Sequence, residues 1–171
     1  MSASSKVPVD TAKYKKITIK LHQKGIEFVK NTRIMSDTRP FYIRHTNEII
    51  IGKQNYFNGS IAILDKKFDG CICSNAIMSF TVKKEYDIPF IYYCLANHRY
   101  LQHREFMSNG TGQKELSEKD FLNFTIRVPL LVEQKKIGQY LSSFLDKMSF
   151  EQSYLCKLQL QKSYILKHMF I

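Results

Sequence analysis

The sequence predicts an α+β protein in which a small β-rich body with packed helices precedes one long C-terminal helix. Apolar and polar residues alternate near the N-terminus, strand-like runs separated by turn residues follow, and a helical period continues from Pro129 to the end. With 171 residues, 44% of them hydrophobic, and only 7 Gly and 4 Pro, the chain can bury a core. One globular domain with an appendage is therefore expected.

The strands are predicted from period-2 patterns and turn residues. Ile17, Ile19 and Leu21 alternate with polar residues, so a half-buried strand is expected there, preceded by a tail of about 15 residues. Residues 33–41 are predicted to form a connecting loop that ends at a proline. Three further runs, 48–51, 60–64 and 71–82, indicate an antiparallel β unit.

Two shorter elements are predicted after this β unit. Pro89 suits a first helical position, and Ile91, Leu95 and Tyr100 follow with helical spacing. In "LSEKD", Ser117 precedes an acidic residue by three positions, which predicts a capped helical turn. The stretch "FTIRVP" predicts a strand that ends at its proline.

The final element is predicted to be a helix of roughly 38 residues, or about 55 Å at 1.5 Å per residue. Apolar residues recur along it at alternating steps of four and three, as in a coiled-coil seam, interrupted by Glu151 and Lys162. The apolar seam positions are Ile137, Leu141, Phe144, Met148, Leu155, Leu158, Ile165 and Met169. A partner helix is implied, and the domain boundary is placed between residues 1–130 and 131–171.

Charge favours a polyanionic partner. The chain carries 26 Lys and Arg against 15 Asp and Glu, a net charge of +11, which attracts nucleic acid first and an anionic membrane surface second. The alternative is that the positive charge serves only to keep the protein soluble. No apolar run is long enough for a membrane span and no signal-peptide core is present, so a reducing cytoplasm is the expected compartment.

Sequence motifs give little support to catalysis. No P-loop, nucleophile elbow, HExxH or Rossmann fingerprint occurs. His98 and His103 lack the i,i+4 spacing of a metal pair, and the four cysteines indicate neither a zinc site nor a disulfide framework. A protein without its own metal or cofactor is therefore expected.

Candidate DNA contacts are the cationic, amide and aromatic side chains on predicted loops. Arg and Lys suit guanine and Asn and Gln suit adenine, whereas glycine-flanked loops approach phosphates. The candidates for base contact are Lys20, His22, Gln23, Lys24, Arg33, Arg39, Arg44, Lys53, Gln54, Asn55, Tyr56 and Asn58. The candidates for phosphate contact are Asn109, Thr111, Gln113 and Lys114. Two purely structural alternatives stay open: Asn58 and Gly59 supply turn geometry, and Gly110 and Gly112 end a helix.

Four stretches in order carry a family resemblance: "NEIIIGKQNYFNGSIAILDKKFDGCICSN", "DIPFIYYCLANHRYL", "GTGQKELSEKDFLNFTIRVPLLVEQKKIGQYLSSFLDKM" and "LQKSYILKHMFI". The chain resembles the specificity subunit of a type I restriction-modification system over about residues 17–171. The resemblance implies a target recognition domain at 1–130 that reads one half of a split double-stranded DNA target. It also implies that the helix at 131–171 is a conserved spacer that forms an antiparallel coiled coil.

The resemblance further implies a subunit that is not an enzyme. Its partners would be modification subunits, which methylate adenine with S-adenosylmethionine, and restriction subunits, which use ATP. Typical members have two recognition domains and two such helices, whereas this chain has one of each. A homodimer through the C-terminal helix is therefore expected. Two other hypotheses stay open: a non-catalytic protein-interaction module, and a non-specific nucleic-acid-binding protein.

Overall fold

The computed structural model describes residues 1–29, 39–107 and 115–169. The strands are β1 (Ser2–Ala3), β2 (Ile17–Ile19), β3 (Ile26–Phe28), β4 (Phe41–Ile43), β5 (Ile49–Gly52), β6 (Ile61–Ile63), β7 (Ile72–Ser74) and β8 (Ile77–Thr81). The helices are α1 (Ile88–Ala96), α2 (His98–Met107), α3 (Glu118–Leu122) and α4 (Leu131–Met169). The predicted α+β class is confirmed.

The main sheet has four antiparallel strands in the order β1-β8-β5-β6, and β2 with β3 and β4 with β7 form two-stranded sheets. The predicted single strand at 71–82 is therefore wrong. A turn at Asn75 and Ala76 divides it into β7 and β8, which pair with different strands.

The predicted N-terminal tail is also wrong. Strand β1 pairs with β8, and the Ser4 amide donates to the Ser79 carbonyl at 2.9 Å. Farther along, the Val9 amide donates to the Phe41 carbonyl at 3.2 Å. The first residues are held because β8 offers them an unpaired strand edge.

The centre of the main sheet is buried on both faces. Ile49 and Ile51 pack into a cluster with α1 and α3, whereas Ile50, between them, packs into a second cluster with β2. All three side chains are fully buried. Successive side chains of a strand point to opposite faces, so the consecutive isoleucines fit a strand covered on both sides.

The helix predicted from Pro89 is divided into α1 and α2. The Asp87 carboxylate caps α1 by accepting a hydrogen bond from the Phe90 amide at 3.0 Å. Asn97 has extended backbone angles, φ −62° and ψ 127°, so it ends α1, and α2 starts at the next residue.

The predicted capped turn is confirmed as α3, because the Ser117 hydroxyl accepts a hydrogen bond from the Asp120 amide at 3.1 Å. The strand predicted at "FTIRVP" is wrong, since residues 124–129 form no strand. Phe124 and Ile126 instead pack against the core through their side chains.

The long helix is confirmed: α4 has 39 residues, or about 58 Å. Its first part packs on α1, where Gln134 and Gly138 are buried and the Ser142 hydroxyl lies 3.0 Å from the Tyr93 hydroxyl. The predicted boundary at 130/131 stays a prediction. Among the described residues, no helix has the length and apolar character needed to cross a membrane.

Candidate nucleic-acid interface

Two candidate segments that are far apart in the sequence touch each other in the structure. The turn between β2 and β3 donates two backbone hydrogen bonds to the loop between β5 and β6. The His22 amide donates to the Asn58 carbonyl and the Gln23 amide to the Gly59 carbonyl, both at 2.9 Å. The predicted base-contacting residues at 20–24 and 53–58 therefore form one continuous surface.

The backbone of this contact is strained. His22 and Gln23 both have φ of +57°, a left-handed conformation that side-chain-bearing residues rarely adopt. Opposite them, Gly59 has φ of +73°, and a Cβ atom there would lie 3.2 Å from both the Gln23 nitrogen and the His22 Cα. Strain of this kind persists only where surrounding contacts fix the backbone, and it clusters at functional sites.

Both segments also bind the end of α1. The Gln23 side-chain amide donates to the Ala96 carbonyl at 2.6 Å, and the Tyr56 hydroxyl donates to the Leu95 carbonyl at 2.9 Å. The last carbonyls of a helix have no partner within the helix, so these two side chains satisfy them. The result is a fixed position for the end of α1 against both loops.

Further backbone hydrogen bonds place two more segments at the same edge of the body. The Lys53 amide donates to the Ala76 carbonyl, and the Asn75 amide donates to the Pro40 carbonyl, each at 3.0 Å. Arg39, a predicted base contact, is exposed next to Pro40. We call residues 20–24, 39–40, 53–59 and 75–76 the loop edge.

The loop edge presents mainly exposed polar side chains. Lys20, His22, Gln23, Lys24, Gln54, Asn55 and Asn58 are all exposed. Lys20 pairs with Glu27 at 2.8 Å, and the half-buried Lys53 lies 3.9 Å from the Glu115 carboxylate. Amides and cations that suit base edges and phosphates are thus concentrated in one place.

Two predicted contact residues are excluded by burial. Tyr56 has no exposed surface, and its ring packs edge-on against Phe121 with centroids 5.6 Å apart. Arg44 is 1% exposed, and its guanidinium donates to the Ser5 carbonyl and the Cys73 sulfur, both at 3.2 Å. Neither side chain is accessible to DNA, so these two predictions are wrong and both residues are structural.

Five predicted contact residues lie outside the described residues: Arg33, Asn109, Thr111, Gln113 and Lys114. The chain re-enters the described part beside the loop edge, because the Leu116 amide donates to the Lys53 carbonyl at 2.9 Å. The predicted phosphate contacts at 109–114 stay a prediction.

Several exposed lysines lie away from the loop edge and were not predicted as contacts. The Lys15 ammonium lies 5.6 Å from the ring centroid of Phe28, and the Lys67 ammonium lies 4.8 Å from that of Phe68. These two rings also contact each other, with centroids 5.0 Å apart. The lysine stems therefore cover aromatic surface, which accounts for them without a ligand.

Sequence reasoning also missed two segments at the loop edge. The turn at Asn75 and Ala76 was hidden inside a predicted strand, although Asn is typical of turns. The start of α2 was hidden inside a predicted continuous helix, although Asn97 is a good helix N-cap. Both signals were present but weak.

The described residues contain no group of three or more His, Cys, Asp or Glu side chains that could hold a metal ion. All four cysteines are free thiols. Burial raises the pKa of the Cys73 thiol, and burial likewise raises the pKa of Cys71, so both favour the protonated form.

The predicted seam residues on α4 form an apolar stripe that is largely open to solvent. Phe144 and Met148 are 55% and 54% exposed, and Leu155 is 47% exposed. Leu141, nearer the body, is half-buried. An apolar stripe of this length on a helix surface is typical of a contact with another chain.

Together these features define a class of protein: a small α+β body with polar loops gathered at one edge, joined to a long helix with an exposed apolar stripe. The family model for the type I restriction modification DNA specificity domain matches residues 3–159. The chain belongs to this family. No curated protein sequence matches it significantly.

Two solved structures resemble the chain in fold. The HsdS subunit from Thermoanaerobacter tengcongensis matches with a TM-score of 0.60 and 14% identity, covering 91% of this chain and 42% of that one. A chain from a structure of the complex assembly and conformational transition of the type I R-M system matches with a TM-score of 0.60 and 16% identity, covering 94% and 45%. This chain spans less than half the length of either.

Proposed function

We propose that this protein is the non-catalytic DNA-recognition subunit of a type I restriction-modification complex, and that its loop edge reads one half of a bipartite target. Family membership supports DNA recognition. The observation that carries the assignment to the loop edge is the pair of hydrogen bonds that joins the turn at His22 and Gln23 to the loop at Asn58 and Gly59. They hold exposed amides and cations from two distant segments in one fixed arrangement, as base reading requires.

Within this surface, different side chains take different tasks. Gln54, Asn55 and Asn58 are exposed amides, which can donate and accept at an adenine edge. Lys20 and Lys24 were predicted from the sequence as base contacts, but as exposed cations on the neighbouring turn they suit phosphates, which position the domain without specifying sequence. DNA affinity should therefore depend on the lysines and sequence preference on the amides.

The same proposal includes a homodimer through α4. One copy of this chain covers 42% and 45% of the two similar structures, so two copies together would have nearly the length of either. Two copies related by a two-fold axis would present two identical loop edges. The complex would then recognise a symmetric bipartite sequence.

The side-chain pattern of α4 supports a helix partner at the seam. Gly138 and Ser142 face α1. Steps of three and four continue that face through Leu145, Ser149, Gln152, Cys156, Gln159 and Ser163, so it becomes mostly polar beyond the body. The seam instead stays mostly apolar along the whole helix, which fits a partner of the same length running antiparallel.

The catalytic activities are assigned to partner subunits. Modification subunits would methylate adenine with S-adenosylmethionine, and restriction subunits would use ATP. One similar structure comes from work on complex assembly in such a system, which supports this arrangement. This chain would recognise the DNA sequence and set the spacing between the two half-sites, with no cofactor of its own.

The test is co-expression of the full chain with a cognate type I modification subunit, followed by mapping of methylated adenines on the host genome. We expect one bipartite motif with related half-sites. Methylated adenines without any bipartite motif, or no methylation from a complex that purifies intact, would contradict the proposal. A variant with Gln54→Ala and Asn55→Ala should keep the complex but lose the motif.

A further inference from the structure

Helix α2 starts directly at the loop edge. The carbonyls of Leu95 and Ala96, the last two residues of α1, accept hydrogen bonds from Tyr56 and Gln23, one from each loop. Since α2 begins only two residues after Ala96, its first turn is held beside the same two loops.

Asn97 sets the new direction of α2. Its extended backbone ends α1, and its side-chain oxygen accepts hydrogen bonds from the amides of Arg99 at 3.0 Å and Tyr100 at 3.3 Å. This is the capping geometry of a helix N-terminus. The first turn of α2 is therefore fixed rather than frayed.

The two sides of α2 differ in what they contact. Leu101 is 2% exposed and packs into the core, and the Tyr100 hydroxyl donates to the Thr125 carbonyl at 3.4 Å. Arg99 lies two residues from Leu101 and so points away from it, and Gln102 follows Arg99 at i+3. Arg99 and Gln102 are both exposed.

The side chains of Arg99 and Gln102 make no hydrogen bond or ion pair with any residue of the described chain. A guanidinium offers paired donors that match a guanine edge, and a glutamine amide matches an adenine edge. Two such exposed side chains on one face of a fixed helix, beside loops that carry exposed amides, extend the polar surface of the loop edge.

We propose that α2 is a second DNA-reading element and that Arg99 and Gln102 contact base edges next to those read by the loop edge. This inference rests on the proposed function, because it assigns further specificity residues to the same DNA. In this arrangement the helix and the loops read neighbouring base pairs of one half-site.

The test selects bound duplexes from a randomised double-stranded DNA pool with the full-length wild-type chain, then with Arg99→Gln. We expect the wild type to enrich a sequence, and Arg99→Gln to lose preference at one base pair and to bind the wild-type sequence about tenfold or more weakly. Gln102→Ala should relax a different, adjacent position. Lys84→Gln is the matched control, because Lys84 is an exposed cation after β8, away from the loop edge.

The outcomes separate the two proposals. A wild-type chain that enriches no sequence would overturn sequence recognition and, with it, the role of α2. Enrichment of the same sequence by wild type and Arg99→Gln, with equal affinity, would overturn the role of Arg99 and leave the proposed function standing. An equal loss of affinity on all sequences would place Arg99 on a phosphate and likewise overturn base reading. Circular dichroism of each variant checks that α2 is intact.

Discussion

Gly59 is the residue that allows the two loops to meet. Its φ of +73° lies in the left-handed region, and the His22 and Gln23 backbone passes within 3.2 Å of the position of a Cβ atom. Conformation and close approach thus both require glycine at this point. Neither requirement is visible in the sequence, where Asn58 and Gly59 read only as turn residues.

We predict that Gly59→Ala lowers the free energy of unfolding by about 2 kcal/mol or more, because strain and a steric clash add. Gly70→Ala is the control, since Gly70 has the same φ of +73° but nothing within 4 Å of its Cβ position. Gly70→Ala should lower the free energy of unfolding by about 1 kcal/mol, from conformational strain alone. Urea denaturation measures both, and equal losses would show that the close approach is unimportant.

Gln54 and Lys24 should respond differently to substitution. Lys24→Ala removes the proposed phosphate contact, so affinity should fall for all sequences and the slope of log K against log salt should flatten by about 0.9 per chain. Gln54→Ala should relax preference at one base pair with little change in slope. Fluorescence anisotropy at several salt concentrations tests both, and identical behaviour of the two variants would contradict the division of tasks.

Tyr56 and Arg44 show why residue type alone misassigns contacts. Both lie among polar residues on predicted connections, where exposure is the ordinary expectation. Tyr56 is buried because its hydroxyl donates to a carbonyl at the end of α1. Arg44 is buried because its guanidinium donates to Ser5 and Cys73. These partners are 29 to 39 residues away along the chain, beyond the reach of any local pattern.

At the scale of elements, local signals predicted what local interactions determine. The alternation at Ile17 and Ile19, the cap at Ser117 and the period of α4 all gave elements of the expected type. Pairing was predicted poorly where it depends on a distant partner. Residues 2–3 form a strand because they pair with β8, whereas residues 124–129 pair with no strand in the described part of the chain.

The joint between α1 and α4 depends on Gly138. A Cβ atom there would clash with the Asp87 carboxylate, and it would lie 3.2 Å from the Phe90 nitrogen. In a free helix, Ala is more favourable than Gly by about 1 kcal/mol. Whether Gly138→Ala stabilises or destabilises the protein therefore shows how closely the two helices pack.

We predict that Gly138→Ala destabilises the protein by about 1–3 kcal/mol, since overpacking at the joint exceeds the gain in helix propensity. Ser149→Ala, at an exposed position farther along α4, should change stability by less than about 0.5 kcal/mol. Thermal and urea unfolding measure both. A stabilised Gly138→Ala variant would show that α4 does not pack closely on α1.

At the scale of the whole molecule, α4 extends well beyond the body. Contacts with the body occur around Gln134, Gly138 and Ser142, whereas residues from 143 to 169 are exposed along their entire length. An isolated amphipathic helix of this kind gains most of its stability from packing. The homodimer would supply that packing.

We predict that Leu155→Lys weakens the proposed homodimer about a hundredfold or more, because a symmetric seam loses a buried leucine from each copy and gains two charges. Leu160→Lys is the control: Leu160 is 66% exposed and lies off the seam on the same part of α4. Sedimentation equilibrium measures the molecular mass of each variant in solution. Equal effects of the two substitutions would exclude the proposed seam.

The pairing of β1 with β8 also has a consequence for the order of folding. Ser2 pairs with Thr81, so β1 must wait during synthesis for a partner strand made 79 positions later. At about 5–20 residues per second, this delay is roughly 4–16 s. During that time the edge of the growing sheet cannot close, and contacts of such long range slow folding. The main sheet of this protein can therefore be completed only after β8 has been made, when β1 pairs with a strand 79 positions away.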